Sequence, residues 1–391
     1  MSEPKPLKIA YLCDHSPLNR NLYSGGNARI YDALRKHAGD VTILSNTWGM
    51  AEPLRRLLHK MPEGVNLRAR WRVHFALSRI IASGVRRELA RDHFDVLFGA
   101  YSLHSLAGIR TPYSMVTVFT SDATNTVYRN SEIGNWHQST RAGRLLDNWV
   151  ENRERKTLQS TDLMLWPSKW LKDAADDRYG LTPGSSHVVP WGANLTTPAP
   201  RITPTVLKPK GPVRLLFIGR NWFAKGGPIA FETMESLRSK GVDARLTVIG
   251  CKPPSHHVNN HVTVHRQLDK AIPDQLATFE KLLDDAHFVI MPSYESYGFA
   301  FCEASAYGVP SLCLRVGGVP VRDGVNGHAL PLGSQTADFV AVIERYLGDP
   351  GAYTRLAGTT RKEFETRLNW DVWGQTAAHL MREAVNSKKK V

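Results

Sequence analysis

Cysteine is scarce in this chain and acidic residues are outnumbered. The four cysteines (Cys13, Cys251, Cys302 and Cys313) form no Cys-x-x-Cys pair and have no metal-type histidine spacing around them. A disulfide scaffold and a zinc ribbon are excluded, and buried thiols in a reducing cytosol are expected. No apolar run approaches the roughly 18–20 residues of a membrane span. The first apolar stretch, 9–13, is closed by Asp14 and is too short for a signal-peptide core, so a cytoplasmic protein is expected. There is no internal repeat, no long low-complexity tract, and no zinc-finger, RNP or basic-zipper pattern. The pair His256-His257, beside Pro253-Pro254, reads as a loop, and no metal site is expected.

What remains is an ordinary globular composition over 391 residues: 42% hydrophobic, 22% charged and 9% aromatic. That length suggests two or three domains. The charge is less ordinary. Fifty Lys and Arg against thirty-six Asp and Glu give +14, which points to a polyanionic partner: nucleic acid, a phosphorylated substrate or an anionic membrane.

Short apolar runs alternate with helical patterns throughout. Strands are expected at 8–13, 41–44, 95–100, 115–119, 162–167 and 187–189, then at 213–218, 244–249, 262–265, 287–291 and 311–314. Helices are expected between most of them, at 27–37, 168–179, 228–239 and 274–284, with a last one at 369–386. Buried strands joined by helices imply an α/β protein with parallel sheets covered on both faces. The stretch 195–212 carries Pro198, Pro200, Pro204, Pro209 and Pro212 and reads as a linker between two halves of similar size. Ligands of doubly wound domains sit at the carboxyl ends of the strands, so the chemistry is expected there.

Two loops follow the first strand of each half. Tyr23-Ser24-Gly25-Gly26-Asn27 precedes a helix; its glycines are either an anion-approach loop or a plain turn. The second loop, Gly219-Arg220-Asn221-Trp222-Phe223-Ala224-Lys225-Gly226-Gly227, places two cations five residues apart beside a helix start. Arg offers a fork and Lys a point charge, which suits a diphosphate; the competing reading is two solvated cations. The segment from Pro292 to Pro310 contains Glu295, then Ser296-Tyr297-Gly298-Phe299, then Glu303. A carboxylate there can hold vicinal hydroxyls, and N–H groups at the helix start can hold phosphate oxygens. A further loop carries Gly317-Gly318-Val319-Pro320 and Asp323-Gly324-Val325-Asn326-Gly327.

Taken in order, the early Gly-Gly loop, the Gly-Arg…Lys-Gly loop, the Glu-x7-Glu segment and the Gly-Gly-Val-Pro…Asp-Gly-x-Asn-Gly loop resemble family four of the retaining, nucleotide-sugar-dependent glycosyltransferases of GT-B fold. The stretch Val188 to Asn194 is similar to the one that closes that family's first domain. The resemblance implies two Rossmann-like doubly wound domains facing a cleft. An acceptor domain would span 1–197 with a returning helix at 370–391, and a nucleotide-sugar domain 198–369. It also implies roles. Arg220 and Lys225 would neutralise the donor diphosphate, with Gly219 opening their loop. Glu295 would bind sugar hydroxyls and Glu303 the ribose. Ser296, Tyr297, Gly298 and Phe299 would line the donor site, and Gly25 and Gly26 would admit the diphosphate.

The implied reaction is metal-free transfer of a hexosyl group from a UDP or GDP sugar to a hydroxyl of a glycan or lipid-linked acceptor, with no cofactor and in cell-surface polysaccharide or glycolipid synthesis. Cations meeting charge on the leaving diphosphate would lower the barrier. The absence of any Asp-x-Asp agrees with that. The family's first-domain histidine has no counterpart after 115–119; Asp122 stands there, as a catalytic group or as a helix cap. An epimerase or phosphorylase of the same fold, a non-catalytic nucleotide-sugar or polyanion binder, and a nucleic-acid binder are the alternatives; no nucleic-acid partner is expected.

The charge is uneven. Residues 53–91 hold ten Lys or Arg against Glu63 and Glu88. Arg68, Arg70, Trp71 and Arg72, among interleaved apolar residues, either face the acceptor or an anionic membrane, making the protein peripheral on the inner face of the plasma membrane, or belong to packed helices with a solvated basic face.

Overall fold

The computed structural model describes residues 5–45, 52–60, 72–134, 141–195, 207 and 211–389. The chain forms two compact units, Met1–Pro190 with Trp370–Val391, and Trp191–Asn369. The boundary lies before the proline-rich stretch, rather than at 197, for a packing reason. Trp191 is fully buried in the second unit, stacked on Phe299 at 5.6 Å between ring centroids.

In the first unit, β1 (Leu7–Leu12), β2 (Gly39–Ile43), β3 (Val96–Ala100), β4 (Val116–Thr120), β5 (Leu163–Trp166) and β6 (Ser186–Val188) form one sheet in the order β2-β1-β3-β4-β5-β6. In the second, β7 (Val213–Ile218), β8 (Ala244–Ile249), β9 (Val262–His265), β10 (Phe288–Met291), β11 (Ser311–Leu314) and β12 (Gly327–Leu330) run β12-β11-β10-β7-β8-β9. Every pairing is parallel. β3, β5, β10 and β11 are buried at every residue, as strands covered on both faces must be.

Strand order reverses between β1 and β3 in the first sheet and between β7 and β10 in the second. Beside such a reversal the flanking connections leave in opposite directions and open a crevice. The loops singled out above follow β1, β7 and β10, so both reversals carry them.

The strand β12 is one the sequence did not announce. It is four residues long and begins at Gly327, whose φ of 140° and closeness to β11 (an added Cβ would lie 1.9 Å from Ser311 O) admit only glycine. Asn326, its neighbour, is fully buried; it accepts from Arg322 N at 2.7 Å and donates to Ser305 Oγ and Pro320 O. The Asp-Gly-x-Asn-Gly turn is therefore a clamp on this edge, with its asparagine unable to reach a ligand. The last helix, Trp370–Lys388, belongs to the first unit. It buries Trp373 near Phe98, and Arg382 donates to the carbonyls of His37 and Ala38.

Candidate active site

In the second unit β7 ends at Ile218 and hands over to Gly219. A Cβ at Gly219 would lie 2.8 Å from Lys225 Cγ, so glycine there makes room for the lysine stem. The loop closes on itself: Asn221 Oδ1 accepts from Ala224 N at 3.0 Å, and Asn221 O from Lys225 N at 3.1 Å. Gly226, at φ 76°, begins the helix Gly227–Ser239, and a Cβ on it would meet Pro292 O at 2.2 Å. The β7 loop is thus pressed onto the start of the β10 loop, across the strand reversal.

The two loops meet through charge. Lys225 Nζ contacts Glu295 Oε1, and buried Ser293 donates its hydroxyl to the same oxygen at 3.0 Å. Arg220 is exposed on the approach. Gly298, at φ 93°, opens the helix Phe299–Ala306, whose first turn carries no acidic side chain. The dipole of its N-terminus suits an anion. Ser296 O accepts from Gly318 N at 3.0 Å, which ties the loop after β11 to the same place.

Glu303 lies one turn further along that helix, almost fully buried, and its carboxylate contacts Lys270 Nζ. Lys270 also sits 4.4 Å from the centre of the Phe279 ring. Neither Lys270 nor Ser293 was singled out from the sequence, since a lone Lys or Ser carries no pattern. Tyr297 needs a correction. Its ring is buried, 1% exposed, and its hydroxyl donates to Trp191 O at 2.6 Å. It anchors the loop to Trp191. Burial pushes the Cys302 thiol up to about 12, so it is no thiolate nucleophile.

In the first unit Gly25, at φ 89°, starts the helix Gly26–His37, and Gly26 is buried in its first turn. Asp122 follows β4 and is half-buried. The helix-cap reading of it is overturned: Thr124 caps the helix Asn125–Asn130, its side chain accepting from Val127 N at 3.2 Å. Asp122 instead lies close enough to Tyr101 to add to the rise that burial gives that phenol.

Arg68, Arg70 and Trp71 lie outside the described residues. Arg72 is half-buried and engaged within the fold. It pairs with Asp147 at 2.7 Å, as does Arg129 at 3.0 Å, and donates to Gly143 O. Of the interleaved apolar residues, Phe75 and Ile81 are core and Leu77 packs against it, whereas Leu54, Leu57 and Ile80 are exposed. The helix Ser78–Leu89 packs Ile81, Val85 and Leu89 inward and leaves Ile80, Arg79, Arg86 and Arg87 exposed. An unanticipated apolar face lies elsewhere, where Leu145, Leu146 and Trp149 are exposed on the helix Arg141–Gln159.

Two family models match, "Glycosyltransferase Family 4" over residues 27–197 and "Glycosyl transferases group 1" over 212–349. A D-inositol 3-phosphate glycosyltransferase of Streptomyces bingchenggensis is 35% identical over 121 residues, covering 30% of this chain and 26% of its own. This chain thus spans about a quarter of that relative. The enzyme of the same name from Nocardiopsis dassonvillei is 28% identical over 305 residues, 71% of this chain and 68% of its own. Among solved structures, WaaG, a glycosyltransferase involved in lipopolysaccharide biosynthesis, superimposes with a TM-score of 0.59 at 16% identity, over 95% of this chain and 99% of that one. Anabaena HepE, solved with UDP and glucose, gives 0.58 at 13% identity over 96% and 99%. With both family models in chain order and this fold beneath them, the chain belongs to the family-four glycosyltransferases of GT-B fold.

Proposed function

We propose that the chain moves a hexosyl group from a nucleotide diphosphate sugar to an acceptor hydroxyl, with retention at the anomeric carbon. The observation that carries this is the Lys225–Glu295 contact at the β7/β10 reversal, beside the N-terminus of Phe299–Ala306. It gathers a cation, a carboxylate and the positive end of a helix within reach of one sugar diphosphate. Lys225 and exposed Arg220 take the diphosphate; N–H groups at Gly298 and Phe299 share it. Glu295 takes the sugar hydroxyls and Glu303 the ribose. Charge developing on the leaving diphosphate meets donors already in place, so the leaving step is stabilised without reorganisation. Asp122 belongs to the first unit, which we take as the acceptor domain. UDP is the first base to test, because HepE was solved with it.

The acceptor we propose is a glycan or lipid-linked polyol, presented at an anionic membrane face. Exposed Leu145, Leu146 and Trp149 lie at i, i+1 and i+4 on one helix, with Arg144 beside them, and such a face can enter a headgroup layer. Incubation with UDP- and GDP-hexoses and candidate acceptors, with the product anomer read by NMR, tests the reading. A product of inverted configuration, or free sugar phosphate formed from inorganic phosphate, would replace it with another reaction.

A further inference from the structure

At the strand reversal of the first unit, three potential metal ligands converge from distant parts of the chain. His74 Nδ1 and His104 Nε2 lie 2.7 Å apart, with both rings buried. Asp14, just after β1, brings a carboxylate oxygen to them, and all three ligand atoms fall within 4.8 Å of one another. Positions 14, 74 and 104 form no local motif, which is why sequence reading finds nothing here.

The carboxylate is held from outside the cluster. Tyr23 donates its hydroxyl to Asp14 Oδ1 at 2.7 Å, and Ser102 donates to the same oxygen at 2.9 Å. Ser102 Oγ in turn accepts from Asp14 N at 2.7 Å. Metal-binding carboxylates are characteristically oriented by such outer hydrogen bonds. The backbone around them is unusual. Tyr23, Ser24 and Tyr101, at φ 51°, 53° and 60°, are the positive-φ non-glycine residues among those described, and all flank this cluster. The rings of Tyr23 and Tyr101 stack at 4.1 Å. Strained backbone persists where its surroundings demand it, as they do at ligand clamps.

We propose that Asp14, His74 and His104 bind one borderline divalent transition ion of the Zn2+ class. Two imidazole nitrogens among three donors favour such an ion over Mg2+ or Ca2+, which take oxygen. With metal–nitrogen bonds of about 2.0–2.1 Å, two nitrogens on a tetrahedral ion stand about 3.3 Å apart. The ion would thus replace the single proton between the rings after a small side-chain rotation. Three protein ligands leave a fourth position for water.

The test is a titration of the chelator-stripped, dialysed full chain with Co2+, followed by visible absorption, and with Zn2+ by calorimetry. One equivalent and d–d bands of a low-symmetry site are expected. His74→Gln and His104→Gln should lower affinity by more than the roughly 10–100-fold that loss of a supporting hydrogen bond costs. Tyr23→Phe should lower it within that range. The double variant His256→Gln/His257→Gln, in the second unit, should bind like wild type. Absence of saturable Co2+ bands in wild type overturns the proposal, whatever the variants do. So do bands that survive His74→Gln and His104→Gln but vanish with His256 and His257.

Discussion

Lys225 and Glu295, seventy positions apart, touch where the β7 and β10 loops converge, with Ser293 bonded to the same carboxylate oxygen. Each is the other's charge partner while no donor is bound, and neither is well exposed. Lys225→Ala should lower kcat/KM by about 10²–10³, the cost of one preorganised donor to developing charge. Glu295→Gln should also lose activity, and the double variant should lose less than the two single losses combined, because they act as a unit. Steady-state kinetics on the four proteins of the cycle measure this. Full additivity would mean that the contact has no part in catalysis.

Gly226→Ala should destabilise the second unit by about 2 kcal/mol or more in urea unfolding. The substitution meets both a left-handed φ and the carbonyl of Pro292, which is backbone and cannot step aside. Activity should fall with it, since this junction sets Lys225 against Glu295.

Tyr297→Phe separates an anchor from a donor contact. Removing the hydroxyl takes a 2.6 Å donor from the buried Trp191 carbonyl, which keeps the weak Cys302 Sγ donor at 3.7 Å, at a cost of about 1 kcal/mol. The KM for nucleotide sugar should stay within about twofold of wild type, a difference of under 0.5 kcal/mol. A raised KM with unchanged stability would put the ring in the donor site after all.

His328 gives a pH dependence with a definite sign. Burial, with a smaller contribution from Arg345, holds its imidazole below the usual 6.5, and its Nε2 pairs with Tyr346 Oη at 2.8 Å. As pH falls below 6.5 the unfolded chain takes up the proton and the folded chain resists it. Stability therefore falls with acidity until the lowered folded value is passed, and is constant below it. Urea midpoints measured across this window should fall less steeply in His328→Gln than in wild type.

For the proposed membrane face, Leu145→Glu/Trp149→Glu should abolish flotation with anionic vesicles and leave transfer to a soluble acceptor unchanged. Both side chains are exposed, so the fold should tolerate the change. Flotation that persists in the double variant would remove this helix from the proposal.

The sequence made most of the fold legible because parallel strands are buried on both faces and so stand out as apolar runs such as 288–291 and 311–314. β12 was hidden because four residues starting at a glycine look like the end of a turn. The β7 and β10 loops stood out through charges at fixed spacing, and Lys225 and Glu295 from them meet in the fold. Lys270 and Ser293 did not stand out, because what marks them is the carboxylate each one touches in space. The same holds for Arg72: ten basic residues in 53–91 read as one patch, yet this one is spent on Asp147 of a different helix.

Calorimetric titration of wild type and Lys225→Ala with UDP, GDP and ADP tests the central claim most directly. The account predicts that one base binds clearly better than the others and that Lys225→Ala weakens its diphosphate at least tenfold, about 1.4 kcal/mol. Binding of no nucleoside diphosphate by wild type, or equal binding by the variant, would contradict it.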